Sequence, residues 1–180
     1  MRAADDTRLD TWLPDPVVRT RHRRAAEAAP SALWRAANDL RLSDTRTLGR
    51  LVRWRIPGLS AGLTYGELFR AYPFAVLDEG EHHLVAGLCG RIWTLARDYP
   101  RLRGPDDFAA WDEPGTVRVL FGHWVEQDGA GSALVCEARV KPVDRMAGVR
   151  LRTLWKLIGP FERLVGAEAI SRATERSRRA

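Results

Sequence analysis

Residues 116–141 read TVRVLFGHWVEQDGAGSALVCEARVK, and the architecture follows outward from this segment. Val117, Val119, Phe121, His123 and Val125 recur at every second position, with Thr116, Arg118, Gly122 and Glu126 between them. A period of two is that of a strand with two distinct faces. Asp128-Gly129-Ala130-Gly131 is a hairpin loop, and Ser132 to Lys141 is the returning strand. On that strand Leu134, Cys136, Ala138 and Val140 share one face, and Glu137, Arg139 and Lys141 the other. The apolar sets together need a cover.

The cover comes next in the chain. Pro142-Val143-Asp144 opens a segment in which Leu151, Leu154, Ile158, Phe161, Val165 and Ala169 recur at spacings of three and four. It reads as one long amphipathic helix, or as two halves kinked at Gly159-Pro160, because proline removes a backbone donor and crowds the preceding turn. The apolar faces of the hairpin are expected to meet this helix.

Upstream of the hairpin, His83 to Leu95 is an extended run containing Gly87 and Gly90, glycines that mark a bulge or a close approach to a sheet. Phe74 to Leu77 is a shorter apolar run closed by a turn at Asp78-Glu79-Gly80. Tyr99 to Asp112 reads as a connecting loop with one helical turn at Asp106 to Ala110, and Glu113-Pro114-Gly115 as a turn. Nearer the N-terminus, Val17 to Ala28 is an arginine-studded edge strand. Ala29-Pro30-Ser31 switches it to a helix capped by Ser31, with Leu33, Trp34 and Ala37 as its stripe. Ser43 and Asp44 open a second short helix burying Leu48, Leu51, Val52 and Trp54, ended by Ile56-Pro57-Gly58. Residues 1–16 form an N-terminal arm with Leu9, Trp12 and Leu13 as anchors, and 17–178 a single domain.

Composition bounds the function. The chain has 180 residues, 29 basic against 23 acidic, for a net charge of +6. Apolar types at 45% and charged types at 29% describe a globular chain and exclude a disordered or collagen-like one. No uncharged run approaches the roughly 18 residues of a membrane span. The acidic start of the chain, with Asp5, Asp6 and Asp10, is not that of a signal peptide. Cys89 and Cys136 are too few for a disulfide framework, which makes a cytoplasmic location the expectation. The positive charge is concentrated in the helices: residues 139–180 carry +7, whereas 61–138 carry −6. Arg176, Arg178 and Arg179 read either as phosphate contacts or as a solvated helix end favourably placed on its dipole. Aromatic residues do not interleave with the basic runs as a base-stacking platform requires, which disfavours nucleic acid as a partner.

The order of strand, two short helices, antiparallel strands and long C-terminal helix resembles the helix-grip fold of the START-like (SRPBCC) superfamily. The residues that carry the resemblance are Ala29-Pro30-Ser31-Ala32-Leu33-Trp34, Gly87-Leu88-Cys89-Gly90-Arg91-Ile92-Trp93, Asp112-Glu113-Pro114-Gly115 and Glu137-Ala138-Arg139-Val140. They are similar to uncharacterised actinobacterial members, and the resemblance covers nearly the whole chain. It implies an α+β domain whose antiparallel sheet wraps around the C-terminal helix, with a cavity between them for an apolar or amphipathic ligand. The superfamily hosts polyketide cyclase-like enzymes as well as lipid-transfer domains, so the fold leaves function open.

On that reading Val119, Phe121, Leu134 and Cys136 form the sheet wall of the cavity, and Leu154, Ile158, Phe161 and Val165 the helix wall. His123 and Arg91 are the polar candidates. His123 shares the apolar face, where it either acts on a ligand or is a hydrogen-bonded core histidine. Arg91 either anchors an anionic group, if the face of His83, Val85, Gly87 and Cys89 lines the cavity, or is an exposed arginine paired with an acid. His82 and His83, adjacent on a strand, point apart and lack a spaced third ligand, so no metal or cofactor is expected. The paired carboxylates fall at turns and caps, where they stay solvated. The expected partner is therefore a small hydrophobic or aromatic molecule. A non-catalytic carrier is favoured over a polyketide cyclase or dehydratase, and a basic interaction module for nucleic acid or an acidic partner is the rival class.

Overall fold

The computed structural model describes residues 4–45, 49–50, 60–94 and 99–178, with the backbone alone at 4–7 and 157–166. Its centre is the hairpin of β4 (Val117–Asp128) and β5 (Gly131–Pro142), paired antiparallel from Val117↔Pro142 to Asp128↔Gly131. β1 (Val18–Ala26) lies along the outer side of β5, with Val18 opposite Val140. On the other side β3 (His83–Gly90) pairs with β4, and β2 (Ala75–Gly80) with β3. The result is an antiparallel sheet in the order β1-β5-β4-β3-β2. With a C-terminal helix gripped by this sheet, the fold is α+β and of the helix-grip type.

The helices obey their end signals. α1 (Ala4–Trp12) makes the N-terminal arm helical, and Leu9 and Leu13 are buried while Trp12 is half-buried. α2 (Pro30–Asn38) starts with Pro30 in its first turn and Ala29 as its extended cap residue; Ser31 lies inside the helix and makes no capping bond. Ser43 and Asp44 sit in a 3-10 turn over Leu42–Asp44. The helix predicted beyond them, with Leu48, Leu51, Val52 and Trp54, lies outside the described residues. α3 (Tyr65–Leu68) is a short helix that the sequence reading did not separate from the strands after it. Thr64 and Glu67 close a reciprocal capping box around its start. α4 (Pro105–Ala109) is the single turn foreseen near residue 106.

α5 (Arg145–Ser177) is one helix, and its backbone stays helical through 159–160. Asp144 caps it, Oδ1 accepting the Ala147 N–H at 2.8 Å while Oδ2 accepts the N–H of Gly115. One carboxylate thus fixes both the turn into β4 and the start of α5. The turn predicted at Asp78-Glu79-Gly80 is instead the end of β2, and β2 passes into β3 across Glu81 and His82. A register shift between Val76 and Asp78 accommodates the extra residue.

The sheet is buried on both faces. On the concave side α5 packs against β1, β5 and α2. On the convex side α1 and α4 press Leu9, Leu13 and Phe108 onto Leu77, Val85, Cys89, Leu120, Trp124 and Val135, with Phe108 seated against Gly87. The face predicted to be the polar one is therefore a second core, and its charged residues are buried with it. Glu137 has a fully buried side chain that accepts from Arg139 Nε at 2.6 Å and from Arg19 Nη2 at 3.0 Å. Arg139, itself fully buried, also bonds Asp10 of α1 and the Leu13 carbonyl.

Candidate ligand site on the concave face

Antiparallel register lays the concave face out in rows. Val18, Val140, Val119 and Leu88 form one row, closed by Val117, Leu151 and the half-buried Trp93 and Trp155. The next row is Thr20, Ala138, Phe121 and Ala86. Thr20 on the edge strand is half-buried, and Ala138 and Phe121 stay half-buried although they lie in the middle of the sheet. The third row is His22, Cys136, His123 and Leu84. A fourth, at Leu134 and Val125, packs against Leu33 and Ala37 of α2 and Ile170 and Ala173 of α5.

His123 is the focus of the third row. It is 2% exposed and Nε2 has no hydrogen-bond partner. Its ring stacks on Trp34 with centroids 5.4 Å apart, and lies 5.5 Å from Tyr65 and 5.3 Å from Phe69. Phe69 in turn touches Phe74 and Phe121, extending the aromatic cluster into the second row. Burial pushes the His123 imidazole down to about 3, helped by the nearby positive charge of Arg70. It is neutral at any physiological pH. Tyr65 and Cys136 interact beside it; burial pushes the Tyr65 phenol well above its usual value and the Cys136 thiol up to about 12. A cavity of about 10 Å³ opens against His123, Tyr65, Cys136 and Leu134, closed by Leu40 and Ala37 of the α2 segment and by Ala169, Ile170 and Ala173 of α5.

Of the residues the sequence put forward, Val119, Phe121, His123, Leu134 and Cys136 lie together on this face. On the helix, Leu154 is half-buried, and Leu151 and Trp155 pack onto the Val119 row beside it. The side chains of Ile158, Phe161 and Val165 lie outside the described residues. Arg91 is a correction. β3 ends at Gly90, whose φ of 136° turns the chain away, and the face of Val85 and Cys89 is the convex one. Arg91 is exposed, 3.9 Å from Glu113, and does not line the concave face.

His83 is bound instead on the convex side, where Arg8 Nη1 lies 2.6 Å from its Nε2 and 3.1 Å from Asp78 Oδ2. These contacts hold the Asp78 carboxyl below its usual range against the opposing effect of burial. No group of three or more His, Cys, Asp or Glu among the described residues is placed to hold a metal ion. No helix among them is long and apolar enough to cross a membrane. The sequence reading missed Trp34 as a partner of His123, and Tyr65, Phe69, Leu40, Ile170 and Ala173 as residues of the site; Ala169 was placed on the helix stripe but not in the cavity wall. The signal for Tyr65 was present: Thr64 and Glu67, three apart, are the capping-box spacing of a helix start.

No family model matches the chain, and no curated protein matches it. Several solved structures do. TTHA0849 from Thermus thermophilus is 13% identical, with 90% of this chain and 98% of that chain covered, at a TM-score of 0.37. The Aha1 dimer from Colwellia psychrerythraea is 12% identical over 86% of this chain and 98% of that chain, at a TM-score of 0.31. CalU16 from Micromonospora echinospora is 15% identical over 89% of this chain and 84% of that chain, at a TM-score of 0.30. At such scores the fold rests on the strand order and helix placement described above.

Proposed function

We propose that this chain is a START-like binding protein that takes up a small hydrophobic or aromatic molecule between the concave sheet face and α5, and carries it without chemical change. The observation that carries the reading is a buried imidazole, unpartnered at Nε2, set among the rings of Trp34, Tyr65 and Phe69 beside a cavity in the sheet's concave face. Apolar walls with few convergent polar groups are the usual make-up of a small-molecule site.

Carriage is favoured over catalysis by the state of the polar groups. A general acid or base works best with a pKa near the working pH, and His123 lies far below it. The thiols of Cys136 and Cys89, both pushed up to about 12 by burial, are protonated and weak nucleophiles. A polyketide cyclase or dehydratase would need a proton donor and acceptor that this face does not supply among its described residues. The basic-module reading loses ground for a different reason. Of the arginines on the C-terminal helix, Arg172 pairs with Glu175 and Arg176 with Asp44 rather than facing open solvent alone.

Native mass spectrometry of the protein isolated from its own host tests the proposal. A co-purified apolar or aromatic molecule is the expected result. A clean mass, together with no uptake of apolar probes, would overturn it, and affinity for nucleic acid falling steeply with salt would replace it.

A further inference from the structure

The cavity beside His123 measures about 10 Å³, room for about one water molecule. It is a recess for one polar atom rather than a chamber for a whole ligand. Among its described lining residues the polar groups are His123, Tyr65 and Cys136, and none is charged. Tyr65 and Cys136 lie close enough to interact with each other, whereas His123 Nε2 is buried with no partner. One step along the same face, Phe121 pairs with Ala138 as His123 pairs with Cys136. Phe121 and Ala138 are half-buried in mid-sheet, next to the recess.

We propose that the recess is the polar end of the ligand site, and that it selects an uncharged alcohol or phenol whose O–H donates to His123 Nε2 while its apolar body lies over Phe121 and Ala138. The proposal rests on the concave face being a ligand site, as argued above. A neutral imidazole has one ring nitrogen that accepts, so Nε2 takes a donor when the proton sits on Nδ1. The ligand hydroxyl then replaces the water for which the recess has room and satisfies a nitrogen otherwise orphaned in an apolar setting. A carboxylate meets the opposite conditions. It brings no proton for Nε2, and no cation among the described lining residues compensates its burial.

Isothermal titration of the intact protein with naphthol, naphthalene and naphthoate at neutral pH tests this. Naphthol should bind about five- to tenfold more tightly than naphthalene, the margin of one satisfied hydrogen bond, and naphthoate more weakly than either. His123→Leu should erase the advantage of naphthol over naphthalene, with circular dichroism reporting that the variant is folded. Should that variant fail to fold, the ranking of the three probes on the unmodified chain decides. Naphthalene equal to naphthol, or naphthoate tightest, overturns the selection of a hydroxyl and leaves the concave-face site standing. Binding of none of the three overturns the selection and the site together.

Discussion

A Cβ on Gly122 would lie 2.7 Å from Leu9 Cδ2, so α1 reaches the convex face of β4 at a point where any larger residue must displace the Leu9 side chain. The contact makes the N-terminal helix part of the core rather than an appendage. Gly122→Val should destabilise the protein by about 1–3 kcal/mol through overpacking, and Leu9→Ala by about 2–5 kcal/mol through a cavity. Because the two changes act on one contact, the double variant should lose less than the two losses combined. Urea unfolding of the four proteins measures this, and strict additivity would show that α1 does not depend on position 122.

The ion pair of Glu137 with Arg139 is buried on both sides, their closest atoms 2.6 Å apart. Removing Glu137 takes from the buried Arg139 guanidinium its one fully buried carboxylate partner, leaving the partly exposed Asp10 and the Leu13 carbonyl. Glu137→Leu should therefore cost about 3–5 kcal/mol. Glu137→Leu combined with Arg139→Met should be less costly than Glu137→Leu alone, since no buried guanidinium short of a buried carboxylate is left beneath α1. Thermal or urea denaturation compares them, and a double variant worse than the single one would refute the argument.

Acid should weaken the fold before the carboxylates titrate, through His123. Its folded pKa of about 3 lies below the usual imidazole value, so between the two the unfolded chain binds the extra proton. Stability is then complete above about pH 6.5 and falls as pH drops toward 3. Between pH 7 and pH 5 the loss from this group should be about 2 kcal/mol. His123→Gln has no titrating group there and should flatten that part of the profile. Urea midpoints at the two pH values supply the comparison; an equal slope in both proteins would contradict the burial of a neutral ring.

Asp144 ties the Gly115 turn to the first turn of α5, and its bonds to Ala147, Gly115 and Met146 hold its carboxyl below the usual range. Asp144→Ala should lower the melting temperature, and Asp144→Asn should recover part of the loss by retaining one acceptor oxygen. A depressed carboxyl stabilises above its unfolded pKa and loses that effect as pH falls through the folded one. The difference between Asp144→Ala and the unmodified chain should thus shrink in acid. Differential scanning calorimetry across pH reads it.

The strands, the hairpin and the long helix were legible because each writes a period into the chain. Residues 117–125 and 134–140 alternate, and the hairpin loop between them is bounded by glycines. What stayed hidden was the second core. Arg139 and Glu137 look like a solvated face when read along one strand. Their burial depends on a helix far earlier in the chain, with Asp10 of α1 bonded to Arg139 across 129 positions. Periodicity reports that a strand has two faces, but not that both are covered. Leu120 and Trp124 on the face labelled polar were the local sign. The candidate site was half visible for a related reason. His123 and Cys136 follow from alternation, whereas Tyr65, Phe69 and Trp34 reach the imidazole through packing from outside the hairpin. The cavity reading of Arg91 failed because alternation does not say which face of β3 is concave; the face of Val85 and Cys89 is covered by α1 and α4, and Arg91 is the exposed arginine near an acid that the other reading described.

The sheet order also dictates a sequence of events during synthesis. β1 is made early yet finds its partner in β5, residues 18–26 against 132–140. Pairing across that separation closes a large loop, which slows folding and leaves the early strand waiting. Until residue 140 has emerged from the ribosome, β1 is an unpaired edge. Arg19, Arg21, Arg23 and Arg24 make that edge a poor template for another chain, as charge on an exposed strand does. The arginines that end up neutralised by Glu137, Glu126 and Asp128 thus serve the nascent chain first, as gatekeepers against self-association.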